Sequence, residues 1–346
     1  MNIVRTGNGI RNFTGTGLTA RKVDFTEIPQ IDFAPMASDD IADRLKVAAE
    51  LKDACVNVGF FYLKNHGVPQ EVIDATFGAA KRYFATSLEE KMRLHVAKST
   101  NHRGYGPLLE ENTNPTAKGD LHEAFDLSLD IPADDPEVLA GHTLHGPNVW
   151  PESMPNFREP LTRYYDEMIL LGRRIFQAFA LALELDEDFF APMIKRPGSS
   201  MRVLYYPPQE GVIDEKQIGI GAHSDYECFT ILAQGGDVEA LQVLNAKGEW
   251  ISAPPIHGAF VVNIGDQMAR WSNDLFKSTL HRVINRSGRE RYSIPFFYGC
   301  DYATVLTPLP NCVDGEHPAK YEPVTAYEYV SGRFAETYGY FKKEEA

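Results

Sequence analysis

Two histidines and one aspartate have the residue types and the spacing of a mononuclear metal site. His223 and Asp225 stand two positions apart in a segment that reads as extended, so their side chains point to the same side. His281 lies 56 positions after Asp225 (281 − 225), inside the apolar run 279–283. Two imidazoles and one carboxylate on one face of a metal leave positions open for other ligands, which is typical of non-haem iron(II) oxygenase sites.

Each of these residues also has a purely structural interpretation. A single histidine in a strand is commonly a hydrogen-bonded core residue, and His-Ser-Asp at 223–225 is also typical of a turn, because Ser and Asp favour turns. The other histidines show no spacing that indicates a metal site. The metal interpretation therefore depends on a second feature that agrees with it.

Arg291 and Ser293 supply that second feature. They stand ten and twelve positions after His281, at the start of an apolar strand, and their spacing of two places both side chains on one face. Arginine is a rigid two-pronged donor for a carboxylate, and an arginine on an inward face needs an anion to offset its desolvation. A dicarboxylate held there could reach the metal with its other end. Taken alone, Arg291 could also be an exposed charge at the start of a strand.

The elements that must position these residues are predicted by alternation of short apolar runs with turn residues. From about residue 199 onward, this pattern predicts an antiparallel sandwich, jelly roll or barrel. The predicted strands are 201–206, 219–222, 229–233, 241–244, 260–264, 278–283 and 292–298.

The first half of the chain has helical periodicity instead. Helices are predicted over 39–58, 70–86 and 156–185, with a short buried strand at 60–63 and a loop region over 98–150 that covers the pocket. We expect one fold, in which a helical layer packs on a β core. Its predicted parts are a flexible N-terminal segment (1–25), the helical layer with pocket-covering loops (26–198), the catalytic β core (199–310) and a C-terminal extension (311–346).

Composition and charge narrow the classes of function. The chain has 346 residues, a formal net charge of −14 and a pI near 5.2, and an acidic surface argues against nucleic-acid binding. The longest apolar run, near 176–183, is too short to span a bilayer, and no signal segment is recognisable, so we expect a cytoplasmic protein without a membrane partner. The four cysteines lack the spacing of a zinc cluster or a disulfide framework. The oligomeric state is left open.

Taken together, the motifs resemble those of the isopenicillin-N-synthase-like 2-oxoglutarate/Fe(II)-dependent dioxygenases. The order and spacing of His223-x-Asp225, His281 and Arg291-x-Ser293 match that family, and the resemblance covers roughly residues 27–335. Supporting matches are the segments at 201–208, 265–266, 270–273, 59–61 and 65–67. The combined pattern is specific, whereas each part alone is not.

The resemblance implies a double-stranded β-helix (jelly-roll) core with flanking N-terminal and central helices. It also implies Fe(II) on His223, Asp225 and His281, 2-oxoglutarate as co-substrate on Arg291 and Ser293, O2, and stimulation by ascorbate. The expected reaction oxidises a small organic molecule by hydroxylation, desaturation or cyclisation and releases succinate and CO2. By family position, the phenol of Tyr206 contacts the co-substrate, and the residues expected to line the substrate pocket are Arg103, Tyr105, Phe125, Phe229 and Phe297.

Three alternatives remain at this point. An oxidase of the same fold can use O2 without consuming 2-oxoglutarate. A catalytically silent member can bind a small molecule only, although such members are expected to have lost a ligand, and this chain keeps all of them. A zinc hydrolase can use the same three ligands.

Overall fold

A computed structural model describes residues 2–13, 17–22, 27–111, 119–209, 214 and 217–337 of the chain. The helices are α1 (Ile41–Asn57), α2 (Gln70–Phe84), α3 (Leu88–Met92), α4 (Pro136–Leu139), α5 (Arg158–Ala182), α6 (Asp266–Trp271) and α7 (Ala326–Thr337). The strands are β1 (Asn2–Thr6), β2 (Gly9–Phe13), β3 (Gln30–Asp32), β4 (Phe60–Lys64), β5 (Gly104–Gly106), β6 (Glu123–Ser128), β7 (Ser200–Tyr206), β8 (Ile220–His223), β9 (Phe229–Gln234), β10 (Leu241–Leu244), β11 (Trp250–Ser252), β12 (Ala259–Ile264), β13 (His281–Val283), β14 (Arg291–Tyr298), β15 (Val305–Leu306) and β16 (Val324–Thr325). Among the described residues, none of the helices combines the length and the apolar character that crossing a membrane requires.

Two sheets form the β core. The larger sheet has eight strands in the order β3-β4-β12-β9-β14-β7-β6-β5, and the smaller has four in the order β11-β10-β13-β8. Apolar side chains of both sheets pack in one cluster, with Phe60 and Val261 from the larger sheet and Leu241 and Val283 from the smaller. This mixed α and β architecture, with two facing sheets and packed helices, confirms the predicted jelly-roll core.

Strand β14 separates the internal cavity from the main core. Arg291, Ser293 and Phe297 line the cavity, whereas Ile294 and Phe296 lie in the main hydrophobic core. That core includes buried side chains of helices α1, α2 and α5 as well as of the larger sheet. Because successive residues of a strand point to opposite faces, one strand serves both compartments.

The boundaries of α1 follow from residues at its two ends. The Asp40 side chain accepts a hydrogen bond from the Ala42 N–H at 2.9 Å, which caps the first turn. After the helix, Gly59 has φ +78°, and a Cβ there would lie 2.1 Å from the Lys277 carbonyl oxygen. The chain can therefore turn from α1 into β4 against residue 277 only with glycine at this position.

The stretch 98–150 contains two strands that the sequence does not reveal. Strands β5 and β6 extend one edge of the larger sheet, and β6 pairs with β7 from Glu123↔Tyr205 to Ser128↔Ser200. Every residue of β6 is buried, including Glu123 and Asp126, so no alternation of apolar and polar residues marks the strand. Part of the region predicted as pocket-covering loop is thus pocket wall.

The N-terminal segment, for which the sequence predicts flexibility, contains regular structure. Residues 2–13 form the hairpin β1–β2, and the Asn8 side-chain amide donates to the Asp266 carbonyl oxygen at 2.9 Å. Arg11 also donates to the Ser278 carbonyl oxygen. Hydrogen bonds to residues more than 250 positions away hold this hairpin against the rest of the chain, and the local composition does not reveal them. Residues 1, 14–16 and 23–26 lie outside the described residues.

Helix α5 contains a glycine at a close crossing with β14, which gives a stability prediction. A Cβ at Gly172 would lie 1.9 Å from a ring carbon of Tyr298, and that ring is itself stacked on Phe229. Alanine favours a helix by roughly 1 kcal/mol over glycine, but overpacking at this crossing costs more. We expect Gly172→Ala to lower the free energy of unfolding by about 2 kcal/mol in urea denaturation.

Gly78 in α2 is the matched control for this substitution. A Cβ at Gly78 would meet only the Arg82 side chain, at 3.5 Å, so Gly78→Ala should leave the stability unchanged or raise it by up to about 1 kcal/mol. Equal stabilities of the two variants would show that the crossing of α5 and β14 has room for a methyl group.

Candidate metal centre and active site

Strand pairing in the smaller sheet brings the predicted metal ligands together. His223 ends β8 and His281 begins β13, and these two residues are direct partners in the antiparallel register. Asp225 follows two positions after His223. The long separation of His281 from Asp225 in the sequence therefore closes through a single strand pair.

Three potential ligand atoms converge at this place. The Nε2 atom of His223 lies 3.6 Å from Asp225 Oδ1, and the Nε2 atom of His281 lies 3.5 Å from the same oxygen. Ligand atoms of the three residues all lie within 4.8 Å of one another. Two imidazole nitrogens and one carboxylate oxygen at these separations fit a divalent transition metal with open coordination positions.

Backbone carbonyl groups orient both imidazole rings. The Nδ1 of His223 is 2.8 Å from the Gly221 carbonyl oxygen, and the Nδ1 of His281 is 3.2 Å from the Thr279 carbonyl oxygen. Each Nδ1 can thus carry the proton and donate it, which leaves the lone pair of Nε2 directed at the common point. Burial, and then the neighbouring His281, lower the pKa of His223 to about 4, so its ring is neutral at neutral pH.

The Asp225 carboxylate is also held by its neighbours. Thr230 donates its hydroxyl proton to Oδ2, and the Asn263 amide donates to the same oxygen at 2.7 Å, so Oδ1 stays free to face the histidines. Burial opposes ionisation of Asp225, but His281 and then His223 outweigh it and hold the pKa of Asp225 well below its usual range. Burial likewise acts to lower the pKa of His281, yet Asp225 raises it above the ordinary value. A metal cation would replace the proton between these two side chains.

Asp266 supports the ligand segments from behind. The Ser224 hydroxyl, between the first two ligands, donates to Asp266 Oδ2 at 3.1 Å, and the Ser278 hydroxyl donates to Oδ1 at 2.6 Å. The Gly7 N–H and the Tyr329 hydroxyl also donate to Oδ2, at 3.1 and 3.2 Å. One fully buried carboxylate therefore joins the N-terminal hairpin and helix α7 to the metal centre.

A second group in the same cavity is suited to an anion. Arg291 is 1% exposed, and its guanidinium donates to Ser293 Oγ at 3.3 Å and to Gln234 Oε1 at 3.1 Å. The Tyr206 ring lies 4.8 Å from the guanidinium, and the Nε atom has no hydrogen-bond partner. Within the described part of the chain, no carboxylate lies within 4.0 Å of this guanidinium. A buried guanidinium with only neutral partners is suited to bind a carboxylate.

The cavity between these groups encloses about 120 Å³. Part of its wall is a salt-bridged cluster, in which Arg202 binds both oxygens of Asp126, at 2.7 and 3.1 Å, and Glu111 at 2.5 Å. Glu227 also lines the cavity. Burial, and then the neighbouring Asp225, raise the pKa of Glu227 to about 8.

The predicted substrate residues divide into two groups. Arg103 and Phe297 line the cavity. Tyr105, Phe125 and Phe229 lie in the main core instead, so the prediction that they line the pocket is wrong. For Phe229 the cause is strand alternation, because its neighbours at 230 and 232 face the cavity and residue 229 faces the helices.

Sequence reasoning missed Glu227 as a cavity residue, although a signal was present. Positions 223, 225 and 227 continue the spacing of two that identifies the first two ligands. It also missed the cluster around Arg202, because its three members come from distant parts of the chain.

Comparison with known proteins decides the family. The family model described as the 2OG-Fe(II) oxygenase superfamily matches residues 197–299. A second model, described as the N-terminal part of non-haem dioxygenases in morphine synthesis, matches residues 28–153. The chain belongs to the 2OG-Fe(II) oxygenases. The match to the 2OG-Fe(II) oxygenase model includes all three candidate metal ligands of this oxygenase, together with Arg291 and Ser293.

Relatives of this oxygenase are similar over nearly their full length. It is 40% identical over 329 residues to the 2-oxoglutarate-Fe(II) type oxidoreductase hxnY of Emericella nidulans, covering 93% of this chain and 94% of that protein. It is 38% identical over 298 residues to a homoarginine-6-hydroxylase of Glycine max, covering 83% and 89%. The crystal structure of a full-length Neurospora crassa protein in complex with alpha-KG superimposes with a TM-score of 0.81 at 27% identity, covering 91% of this chain and 98% of that chain.

Family membership establishes the class of reaction. This oxygenase oxidises a small molecule with Fe(II), 2-oxoglutarate and O2, as the resemblance implied. The grouping of His223, Asp225 and His281 fits iron binding. The alternatives of a zinc hydrolase and of a silent binding protein lose support.

Proposed function

We propose that His223, Asp225 and His281 hold the ferrous ion of a small-molecule hydroxylase. The donor set supports this assignment, because two imidazoles and one low-pKa carboxylate converge within 4.8 Å. Carbonyl groups at 221 and 279 fix the rings, and Thr230 and Asn263 fix the carboxylate. A site held in this way is prepared for the metal before the metal arrives.

Arg291, with Ser293 and Tyr206, binds the far carboxylate of 2-oxoglutarate in this proposal. The observation that carries the assignment is the buried Arg291 guanidinium, which lines the metal cavity and has no carboxylate partner among the described residues. Strand pairing places Tyr206 directly opposite Arg291, so the phenol is next to the guanidinium. The near end of the co-substrate then faces the metal ligands.

The chain's own residues position the reactants and keep water away from them. When bound, iron and 2-oxoglutarate supply the activation of O2 and the oxidising power for removal of a substrate hydrogen. Phe297 and Leu204 give the cavity apolar wall, and Arg103 also lines it. Hydroxylation is the proposed outcome, supported by the relatives named as hydroxylases, and ascorbate is the proposed reductant that keeps the iron ferrous.

We also propose the cell compartment, the partners and the division of the chain. A net charge of −14 supports a protein that binds no nucleic acid, and a cytoplasmic location without a membrane partner is proposed from the sequence alone.

The layer 26–198 and the core 199–310 act as one unit in this proposal, since β3 to β6 share a sheet with β7, β9, β12 and β14.

Succinate formation tests the proposed function. The full chain is loaded with Fe(II) and incubated with 2-oxoglutarate, ascorbate and O2, with and without candidate small molecules. We expect slow succinate release alone and a large stimulation by a substrate, with one succinate for each product molecule. With Zn(II) in place of Fe(II) we expect no succinate, because zinc has no redox chemistry.

The same assay separates this oxygenase from oxidases of the same fold. Substrate-dependent O2 uptake without succinate would contradict the proposal and place the chain with enzymes that do not consume 2-oxoglutarate. Product formation with Zn(II) alone would contradict it in favour of a hydrolase.

A further inference from the structure

Most charged side chains that line the cavity already have a partner or an assigned role. They are Arg202, Asp126 and Glu111 in the salt-bridged cluster, Asp225 at the metal centre and Arg291 at the co-substrate end. Apart from Arg291, which the proposed function assigns to the co-substrate, two charged side chains of the lining have no ionic partner within 4.0 Å among the described residues: Arg103 and Glu227. Their ionised forms carry opposite charges.

Arg103 is held in place without a carboxylate. Its side chain is 4% exposed, and its guanidinium donates to the carbonyl oxygens of Asn101 at 2.7 Å, His102 at 3.3 Å and Leu144 at 2.9 Å. The Nε atom has no hydrogen-bond partner. Backbone carbonyls orient the cation but carry no net charge, so they do not neutralise it.

Glu227 has the complementary arrangement. It is also 4% exposed and lines the same cavity, and among the described residues the hydrogen bond to its carboxylate comes from its own backbone N–H. No described lysine, arginine or histidine lies within 4.0 Å of it. A buried carboxylate in this position is costly unless a cation or a strong donor pairs with it.

We propose that the substrate is a small zwitterion, whose carboxylate pairs with Arg103 and whose ammonium or guanidinium group pairs with Glu227. A ligand with both charges satisfies both buried groups at once, whereas an anion or a cation alone leaves one of them unpaired. This inference rests on the proposed function, because it takes the cavity beside the metal centre as the substrate site.

Neighbouring residues indicate how the zwitterion lies. Arg103, Glu227 and Tyr302 line one cavity of about 120 Å³, so the two charged groups are within reach of one small molecule. Glu227 stands two positions after Asp225 in the chain, whereas Arg103 belongs to the part of the cavity wall that His102 and Leu144 also form. The cationic end of the substrate therefore lies on the metal side of the cavity, and its carboxylate lies at that wall.

Anaerobic calorimetry with the full chain, loaded with Fe(II) and 2-oxoglutarate, tests the proposal. The probes are ornithine, lysine, arginine and homoarginine, and the tightest of them is compared with analogues that lack one charge. For arginine these are agmatine without the carboxylate, 5-guanidinopentanoate without the α-ammonium and citrulline without the guanidinium. We expect at least one parent to bind, and removal of the carboxylate or of the Glu227-paired cation to weaken binding about hundredfold.

Variants assign each charge to its residue. Glu227→Gln keeps the shape of the side chain and should weaken binding of the parent amino acid about hundredfold. The same substitution should change the affinity for the analogue that lacks the paired cation less than about threefold. Arg103→Gln should show the same pattern with the analogue that lacks the carboxylate. Glu159→Gln, an exposed residue at the start of α5, is the control and should bind like the unchanged chain.

The outcomes separate this inference from the proposed function. The proposal is wrong if none of the four parents binds more tightly than its analogues that lack one charged group, or if Glu227→Gln weakens the binding of all ligands equally. If Arg103→Gln does not fold, as judged by its melting temperature, Glu227→Gln and the agmatine comparison decide the result. Formation of the Fe(II)–2-oxoglutarate absorption band, measured first without any zwitterion, tests the proposed function independently.

Discussion

Asp225→Ala is expected to reduce substrate-dependent succinate formation more than about hundredfold while the protein stays folded. Removal of a residue that only supports a metal ligand typically costs ten- to hundredfold in affinity or activity, and here the ligand itself is lost. Asp225 also provides the negative charge next to two histidines, at 3.5 and 3.6 Å. The measurements are Fe(II) content after anaerobic loading, succinate release, and a melting curve to verify folding.

Asp237→Ala is the matched control for this substitution. Asp237 is an exposed aspartate in a turn, where it pairs with Arg289 at 3.0 Å, and its removal should leave iron content and turnover unchanged. If Asp225→Ala retained both iron and activity, the metal would have to be bound by other residues, and the assignment of His223 and His281 would lose its main support.

Arg291→Gln is expected to raise the Kd of 2-oxoglutarate at least about hundredfold, because a desolvated charge pair is lost. The effect should be specific to the co-substrate, since Arg291 lies at the Tyr206 end of the cavity and its present partners, Ser293 and Gln234, are neutral. Anaerobic titration of the Fe(II)-loaded variant with 2-oxoglutarate measures the change directly. The variant should recover part of its rate of succinate formation at high 2-oxoglutarate concentration.

Arg289→Gln changes an arginine two positions earlier and serves as the control. Its guanidinium is exposed and paired with Asp237, so co-substrate affinity should not change. An Arg291→Gln variant with normal affinity for 2-oxoglutarate would transfer the carboxylate-binding role to another cation of the cavity, and Arg103 would then be the first residue to examine.

The grouping of the proposed metal ligands, and that of Arg291 with Ser293, could be predicted from the sequence because both depend on local spacing. Residues two apart share a face in any extended segment, so His223 with Asp225, and Arg291 with Ser293, carry their geometry in the sequence itself. The structure places both pairs in one cavity. The contribution of His281 was predictable only through its position in an apolar run and through the family pattern.

Other parts of the site could not be predicted because they depend on long-range register. Strand β6 is buried throughout, and its acidic residues are neutralised by partners far away in the sequence, such as Arg202 for Asp126. Without those partners the segment reads as a polar loop. The prediction that Phe229 lines the pocket failed for a related reason, since a shift of one position moves a strand residue from the cavity to the core.

The hydrogen bonds to Asp266 have a practical consequence for work on this protein. Gly7 and Tyr329 both donate to this carboxylate, whose other partners, Ser224 and Ser278, lie in the segments that carry the proposed iron ligands. Local opening of the hairpin β1–β2 or of helix α7 would remove one of these donors from the support of the proposed metal centre. Substitutions that destabilise either segment should therefore lower the iron content of the enzyme, and not only its stability.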